Sequence, residues 1–217
     1  MKRLSLILLL LPLACAHLPK IQAPADPHGA PSQEACTQIF PQGRWQFVHA
    51  IEAVPPGGRR INILGVIQTA SQERTVKCVL LTLEGLVLFQ ASYDHHLTIE
   101  RAIPPFDAKG FAQGLLNDIM LIFFAPQAPC RQTGYLASGD FVCRYSLSNH
   151  GTLDIVRKPH DGWEIRRYNA SNRLERTVSP IEPMTLSARG FPTHLELRAS
   201  GLAGYRLTLT LLEARPL

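Results

Sequence analysis

The sequence has few charged and few aromatic residues, and it lacks any concentrated stretch of basic side chains. Charged residues make up 18% of the 217 residues and aromatic residues 7%. The net charge of +5 falls to +3 when Lys2 and Arg3 are removed from the N-terminus. No nucleic-acid partner is therefore expected. Apolar residues reach 46%, which excludes a disordered chain and suits a single domain with a packed core.

Motifs for catalysis, phosphate binding and metal binding are also missing. The chain has no G-x-S-x-G, H-E-x-x-H, Walker A or C-x-x-C sequence. Asp94-His95-His96 and His160-Asp161 are the densest polar clusters, and both favour a turn, because adjacent strand side chains point to opposite faces. We predict a protein that is not an enzyme and has no cofactor and no metal site. The alternative, a hydrolase, requires a cleft that gathers one of these clusters with a residue such as Ser92.

The N-terminus has the pattern of an export signal. Met1-Lys2-Arg3 is basic, residues 4–11 form an apolar run broken by Ser5, and Pro12-Leu13-Ala14-Cys15 follows. The run is far shorter than the roughly 20 apolar residues of a membrane-spanning helix. We predict a signal peptide over residues 1–14 and a mature chain that starts at Cys15, which carries diacylglycerol on its sulfur and an acyl chain such as palmitate on its amine.

Two features of this segment affect its interpretation. Pro12 stands where the bacterial lipobox usually has leucine, and ordinary signal-peptidase cleavage after Ala16 remains the alternative. The residue after Cys15 is not aspartate, which favours the periplasmic face of the outer membrane over retention at the inner membrane. Prolines at 19, 24, 27 and 31 then predict an extended tether over residues 15–31. The folded domain is expected over residues 32–217.

Four cysteines remain besides Cys15, an even number that suits an oxidising compartment. Cys130 and Cys143 are thirteen residues apart, and their closeness favours a bridge that closes a hairpin and stabilises the fold by ~3 kcal/mol. Cys36 would then pair with Cys78. Four cysteines permit three connectivities, and Cys78, which lies in an apolar run, is alternatively a buried thiol.

Alternating apolar residues and turn signals predict a mainly β (α+β) fold. Five strands are expected over residues 45–54, 61–69, 75–82, 86–92 and 96–102, and about six more over 135–145, 152–157, 163–169, 173–178, 194–199 and 205–212. An amphipathic helix is predicted over 108–123, with Asp107 as its N-cap, and a short one over 32–39. A long antiparallel sheet twists. We therefore expect a curved sheet of about eleven strands, an incomplete barrel with the helix over its concave face.

Residues 79–89 carry more apolar side chains than one face of a strand needs. Leu83 and Leu86 flank the Glu84-Gly85 turn, and apolar residues at a hairpin tip are typical of loops that insert into a membrane. We predict that these two leucines form a membrane-insertion loop. The alternative is a strand buried on both faces.

Together, these features resemble the superfamily of the outer-membrane lipoprotein receptor and the periplasmic lipoprotein carrier. Its members are eleven-stranded half-barrels closed by helices, with an apolar cavity for acyl chains. The receptor presents a leucine in a setting like L-L-L-T-x-P-L-G. Residues 79–86 (VLLTLEGL) look similar without the proline, and Leu83 is nearest that leucine. Within the superfamily, the chain looks most like an uncharacterised family of gammaproteobacterial lipoproteins encoded beside aryl-polyene pigment genes. The features that match are the lipobox, the Trp45 strand, residues 86–90 and the 115–123 helix.

The resemblance implies a lipoprotein that binds or transfers a hydrophobic lipid-linked molecule in the periplasm, either an aryl-polyene lipid or an acylated protein. The helix would act as a lid over the cavity. Six candidate wall residues of this cavity are Ile63, Leu80, Leu88, Leu115, Ile119 and Phe123, and each is alternatively an ordinary core residue. The alternative is a non-enzymatic envelope assembly lipoprotein that has no ligand cavity and binds an envelope protein.

Overall fold

Twelve antiparallel strands form one open sheet in the structure, a computed structural model that describes residues 18–24, 31–201 and 204–217. The elements are α1 (Gln33–Thr37), β1 (Arg44–Val54), β2 (Ile61–Ala70), β3 (Thr75–Leu81), β4 (Val87–Asp94), β5 (His96–Ala102), α2 (Phe111–Phe123), β6 (Cys130–Tyr135), β7 (Phe141–Ser146), β8 (Thr152–Arg157), β9 (Trp163–Tyr168), β10 (Leu174–Pro180), β11 (His194–Ala199) and β12 (Tyr205–Pro216). The predicted mainly β fold is confirmed. No helix within these residues is long and apolar enough to span a bilayer.

The sheet consists of two meanders joined along one strand pair. Strands β1 to β5 form the first meander and β6 to β12 the second, and β1 pairs with β12. Strands β5 and β6 are the two free edges, and the chain passes from one edge to the other through α2. The predicted strand at 135–145 is two strands, because Gly139, with φ +86°, turns the chain between β6 and β7.

Helix α2 begins three residues later than its sequence pattern predicts. Its N-cap is Gly110, whose φ of +84° is a left-handed conformation that favours glycine, and Asp107 does not cap the helix. The helix lies on one face of the sheet, where its side chains join the main apolar core. Phe123 stacks on Phe47 of β1 with ring centroids 4.9 Å apart, and Phe111 meets Phe89 of β4 edge-on at 5.3 Å.

Residues 18–24, which fall within the tether predicted over residues 15–31, contact the folded domain. Gln22 exchanges two backbone hydrogen bonds of 2.9 Å with Tyr135, at the end of the edge strand β6. Ile21 is only 8% exposed, and it forms a second small core with Leu136, Val142 and Val156. This segment, which we call the N-terminal strap, docks because one isoleucine among the prolines has an apolar surface to cover. Residues 1–17 and 25–30, and with them the signal peptide and Cys15, lie outside the described residues.

The strap fits closely against the sheet at two further points. Arg144 donates a 2.9 Å hydrogen bond to the carbonyl of Pro19 and forms a salt bridge of 2.7 Å with the buried Asp154. A Cβ atom added to Gly134 would lie 2.2 Å from the carbonyl oxygen of Gln22, so only glycine allows this approach.

The disulfide pairing differs from the one favoured by sequence spacing. Cys36 of α1 is bonded to Cys143 of β7, across 107 residues, and Cys78 and Cys130 are free thiols. Cys130 does not pair with Cys143 because the residue opposite Cys143 on β6 is Thr133. Cys78 lies on β3 of the other meander, buried as the alternative interpretation expected.

Candidate functional site: the apolar sheet face and its helical cover

The six predicted wall residues lie in or against the main apolar core that α2 shares with the sheet. Ile63, Leu80, Ile119 and Phe123 are buried in the main core, and Leu88 and Leu115 are half-buried against it. Strand alternation explains the positions of Ile63 and Leu80, because every second side chain of β2 and β3 points into this core.

The space between these residues is filled in this structure. The void beside Phe123 measures about 30 Å³, and the void beside Ile119 measures about 10 Å³. Each has room for about one water molecule, which is far too little for an acyl chain. The helix therefore occupies the position where the sequence predicts a cavity.

Asp118 holds the middle of α2 to the second meander. Its side chain is almost fully buried, accepts a 3.1 Å hydrogen bond from Nε of Arg176, and also accepts one from the hydroxyl of Tyr205. The guanidinium of Arg176 lies over the Tyr205 ring, 5.3 Å from its centroid. Burial raises the pKa of Asp118, although Tyr205 and Arg176 act in the opposite direction. We call these three residues the helix latch.

Sequence patterns did not predict the helix latch, yet one signal was present. Asp118 falls next to Ile119 on the buried side of α2, where every other buried residue is apolar. A lone carboxylate in an apolar helix stripe needs a charged or hydrogen-bonding partner in the folded protein, because leaving it unpaired there is costly. The partners lie 58 and 87 residues further along the chain.

Arg74 holds the C-terminal end of α2 to the first meander. Its Nη1 atom donates a 3.0 Å hydrogen bond to the carbonyl of Ala125, and its guanidinium lies 5.1 Å from the centre of the Phe124 ring. Burial lowers the pKa of Arg74. The helix is thus held at two points by polar contacts and elsewhere by apolar packing.

His49 is a buried polar residue beneath α2. It is 2% exposed, its ring centroid lies 6.0 Å from that of Phe123, and its Nδ1 atom has no hydrogen-bond partner among the described residues. Burial lowers the pKa of His49 to about 4. The imidazole is therefore neutral at neutral pH.

The turn between β3 and β4 presents Leu83 and Leu86 to solvent. Leu83 is 61% exposed and Leu86 is 52% exposed, so neither is buried on a sheet face. The β1–β2 turn, which lies at the same end of the sheet, carries the exposed Arg59 and Arg60. This end of the molecule therefore combines exposed leucines with two arginines and two carboxylates, since Arg60 lies 3.5 Å from Glu52 and the exposed Glu84 belongs to the β3–β4 turn.

The two polar clusters noted in the sequence are both exposed turns. The side chains of Asp94 and His95 are 74% and 87% exposed at the β4–β5 turn. His160 and Asp161 have positive φ angles at the β8–β9 turn. Across residues 18–24, 31–201 and 204–217, no group of three or more His, Cys, Asp or Glu side chains is placed to hold a metal ion.

Comparison with known proteins identifies the fold. No family profile and no curated protein matches the chain. Among solved structures, a LolA superfamily protein from Nitrosomonas europaea matches with a TM-score of 0.56 and 11% identity, over 87% of this chain and 94% of that chain. An outer membrane lipoprotein-sorting protein domain from Vibrio parahaemolyticus matches at 8% identity over 84% and 89%, and a DUF1329 family protein from Desulfovibrio piger at 8% over 83% and 88%, both with a TM-score of 0.47. The first match shows that this chain has the fold of a LolA superfamily protein.

Proposed function

We propose that the protein is a lipoprotein at the periplasmic face of the outer membrane that binds or transfers a hydrophobic lipid-linked molecule, with α2 as the lid of its binding face. The observation that carries this proposal is the topology. Helix α2 is part of the connection between the two edge strands, β5 and β6, and it forms none of the hydrogen bonds that pair the strands. It can therefore leave the sheet without breaking a ladder hydrogen bond.

The energies of lid and ligand are of similar size. Five apolar side chains of α2 are buried (Leu116, Ile119, Leu121, Ile122 and Phe123). At about 1.5–3 kcal/mol each, they contribute roughly 8–15 kcal/mol of apolar burial. An acyl tail with about 14 methylene groups, at about 0.8 kcal/mol per group, contributes about 11 kcal/mol in the same place. The free energy of burying the helix side chains is thus close to that of burying the acyl tail, which is what reversible loading of the ligand requires.

The membrane-facing parts of the proposal rest on the sequence and on the exposed turn. Residues 1–14 direct export and the lipid on Cys15 anchors the chain. Leu83 and Leu86 insert between lipid tails while Arg59 and Arg60 face anionic headgroups. The cargo is an aryl-polyene lipid or an acylated protein, the two classes that the family resemblance implies.

Native mass spectrometry with lipid extraction tests this function. The chain is exported with Cys15→Ser, which prevents lipid attachment, and is purified from the periplasm. A near-stoichiometric co-purified lipid, or saturable uptake of a fluorescent fatty acid, is the expected result. Leu115→Glu, on the half-buried side of α2, should abolish it, whereas Leu212→Glu, at a position 58% exposed on β12, should not. An empty protein that takes up no lipid would refute the carrier function.

The alternative function is that of a non-enzymatic envelope assembly protein. The filled space beneath α2 is the observation that favours it, since the voids there are too small for a lipid tail. A partner would then pair with the exposed edge strand β5, which carries Ile99 at 53% exposure. If this alternative holds, Ile99→Lys should prevent formation of the complex in vivo, as measured by crosslinking. If the carrier function holds, the same substitution should leave lipid uptake unchanged.

A further inference from the structure

An open cleft of about 290 Å³ runs along the flank of α2 that faces strands β7 to β9. Its floor is apolar and includes Leu121, Phe124 and Leu153. The guanidinium groups of Arg74 and Arg167 line it, and none of its lining residues is an aspartate or a glutamate. The cleft thus joins an apolar floor to two positive charges.

Arg167 has one long salt bridge and hydrogen-bond donors that this contact leaves unused. Its Nε atom is buried without a hydrogen-bond partner among the described residues, and the nearest carboxylate oxygen, on Glu175, is 3.8 Å away. Arg167 lies directly opposite Arg176 on β10, an unfavourable arrangement of like charges. Asp118 is hydrogen-bonded to Arg176, and it interacts with Arg167 only through longer-range electrostatics.

Arg74, the other cation of the cleft, has no salt-bridge partner within residues 18–24, 31–201 and 204–217. Its Nη1 atom is used by the carbonyl of Ala125 and its Nη2 atom lies 4.0 Å from the sulfur of Met120, whereas a guanidinium has five N–H groups in all. Donors therefore remain on both arginines for an anionic oxygen. Planar guanidinium groups are well suited to carboxylates and phosphates.

We propose that this cleft binds the anionic head of an amphiphile, a carboxylate or a phosphate ester, with the first part of the tail on Leu121, Phe124 and Leu153. The inference rests on the proposed carrier function and specifies the class of ligand. The volume is at the lower limit of small-molecule sites, roughly 300–1,000 Å³, so the cleft holds the head while the rest of the tail requires movement of α2.

Paired ligands that differ only in charge test the inference. Parinaric acid, a fluorescent fatty acid, and its methyl ester are titrated into the Cys15→Ser chain. We expect the acid to bind at least about tenfold more tightly, the size of one charge-assisted hydrogen bond. Arg167→Gln should abolish this preference and Arg167→Lys should retain part of it. The matched control Arg189→Gln, at an exposed position on the β10–β11 connection, should leave it unchanged.

The outcomes separate the two proposals. Equal binding of acid and ester, or a preference that survives Arg167→Gln, would overturn the anionic-head site while leaving the carrier function intact. Absence of binding by both ligands would overturn both proposals. Octyl phosphate and inorganic phosphate, added as competitors at equal concentration, distinguish an amphiphile from a free anion. Equal competition by inorganic phosphate would overturn the amphiphile.

Discussion

Weakening the helix latch should increase the opening of α2, and Cys78 provides a natural reporter. Cys78 is buried and borders the same small void as Leu116 and Ile119 of the helix. Burial raises the pKa of Cys78 to about 11, so the thiol reacts slowly while the helix covers it. Departure of α2 would expose it. The perturbation is Asp118→Asn, which removes the charge and preserves the shape.

The expected magnitude follows from the contacts of Asp118. Its carboxylate accepts hydrogen bonds from Arg176 and Tyr205, and a hydrogen bond to a charged group contributes about 1.5–3 kcal/mol. Arg176 is 25% exposed and is partly stabilised by water after the change, and the substitution also removes the burial cost that raises the pKa of Asp118, so at most the lower part of that range applies. A loss of about 1.5–2 kcal/mol corresponds to about 10–30-fold more open helix.

The assay is the rate of Cys78 modification by a soluble thiol reagent. Cys130→Ser removes the other free thiol, and the chain with Cys15→Ser has no further reactive cysteine because Cys36 and Cys143 are bonded to each other. Asp118→Asn should raise the rate about 10–30-fold at low denaturant, in line with the change in opening. A rate within twofold of the parent chain would refute the reasoning that the latch holds the lid.

Asp154→Asn is the matched control. Asp154 is also a buried aspartate paired with an arginine, Arg144, but it lies beside the N-terminal strap, away from α2. The substitution should lower the overall stability without a comparable rise in Cys78 reactivity. If both variants raise the rate equally, exposure of Cys78 arises from global unfolding and local opening of the lid is excluded.

Four further predictions concern stability and membrane contact. Cys36→Ser should lower the free energy of unfolding by ~4.8 kcal/mol, because it opens a loop of 107 residues. Cys130→Ser, which removes a free thiol, should lower it by less than about 1 kcal/mol. Urea unfolding measures both changes, and equal losses would contradict the pairing. Ile21→Ala should cost about 2 kcal/mol and speed proteolysis of the N-terminal strap, and unchanged proteolysis would show that the segment does not dock. Leu83→Glu should weaken binding of the unlipidated chain to anionic vesicles about tenfold or more in flotation assays, and equal flotation would exclude insertion of this turn. Finally, the pKa of His49 is lowered from 6.5 to about 4 in the folded state, so the unfolded chain binds a proton that the folded chain does not. About 3 kcal/mol of stability is therefore lost as the pH falls from about 6.5 to 4. Unfolding midpoints measured across this range should show that loss in the parent chain and not in His49→Phe, and identical pH profiles of the two would contradict it.

Strand positions could be predicted because their signals are local. Strands β8 and β11 coincide with the predicted ranges 152–157 and 194–199, where alternating side chains and turn residues mark the ends. The start of α2 was misplaced for an equally local reason. Helix α2 begins after Gly110, and the left-handed conformation of this glycine is not visible in an apolar periodicity.

The candidate site was predicted in part. Periodicity selected Ile63, Leu80, Ile119 and Phe123, which all lie in the main apolar core, because it reports which side of a strand or helix is buried. It does not report what lies on the other side of that interface. Whether the space holds a ligand or a helix depends on the packing of α2, and the positions of Arg74 and Arg167 along the cleft depend on it as well.

The sequence by itself therefore determined most of the strands, the presence of α2, the apolar faces and the turn that carries Leu83 and Leu86, although it did not separate β6 from β7. Only the tertiary structure decided which distant residues meet. Cys36 bonds to Cys143 across 107 residues, Ile21 docks on β7 and β8, and Asp118 finds Arg176 and Tyr205. The physical reason is that periodicity depends on neighbours within a few residues, whereas these contacts depend on the order and register of twelve strands.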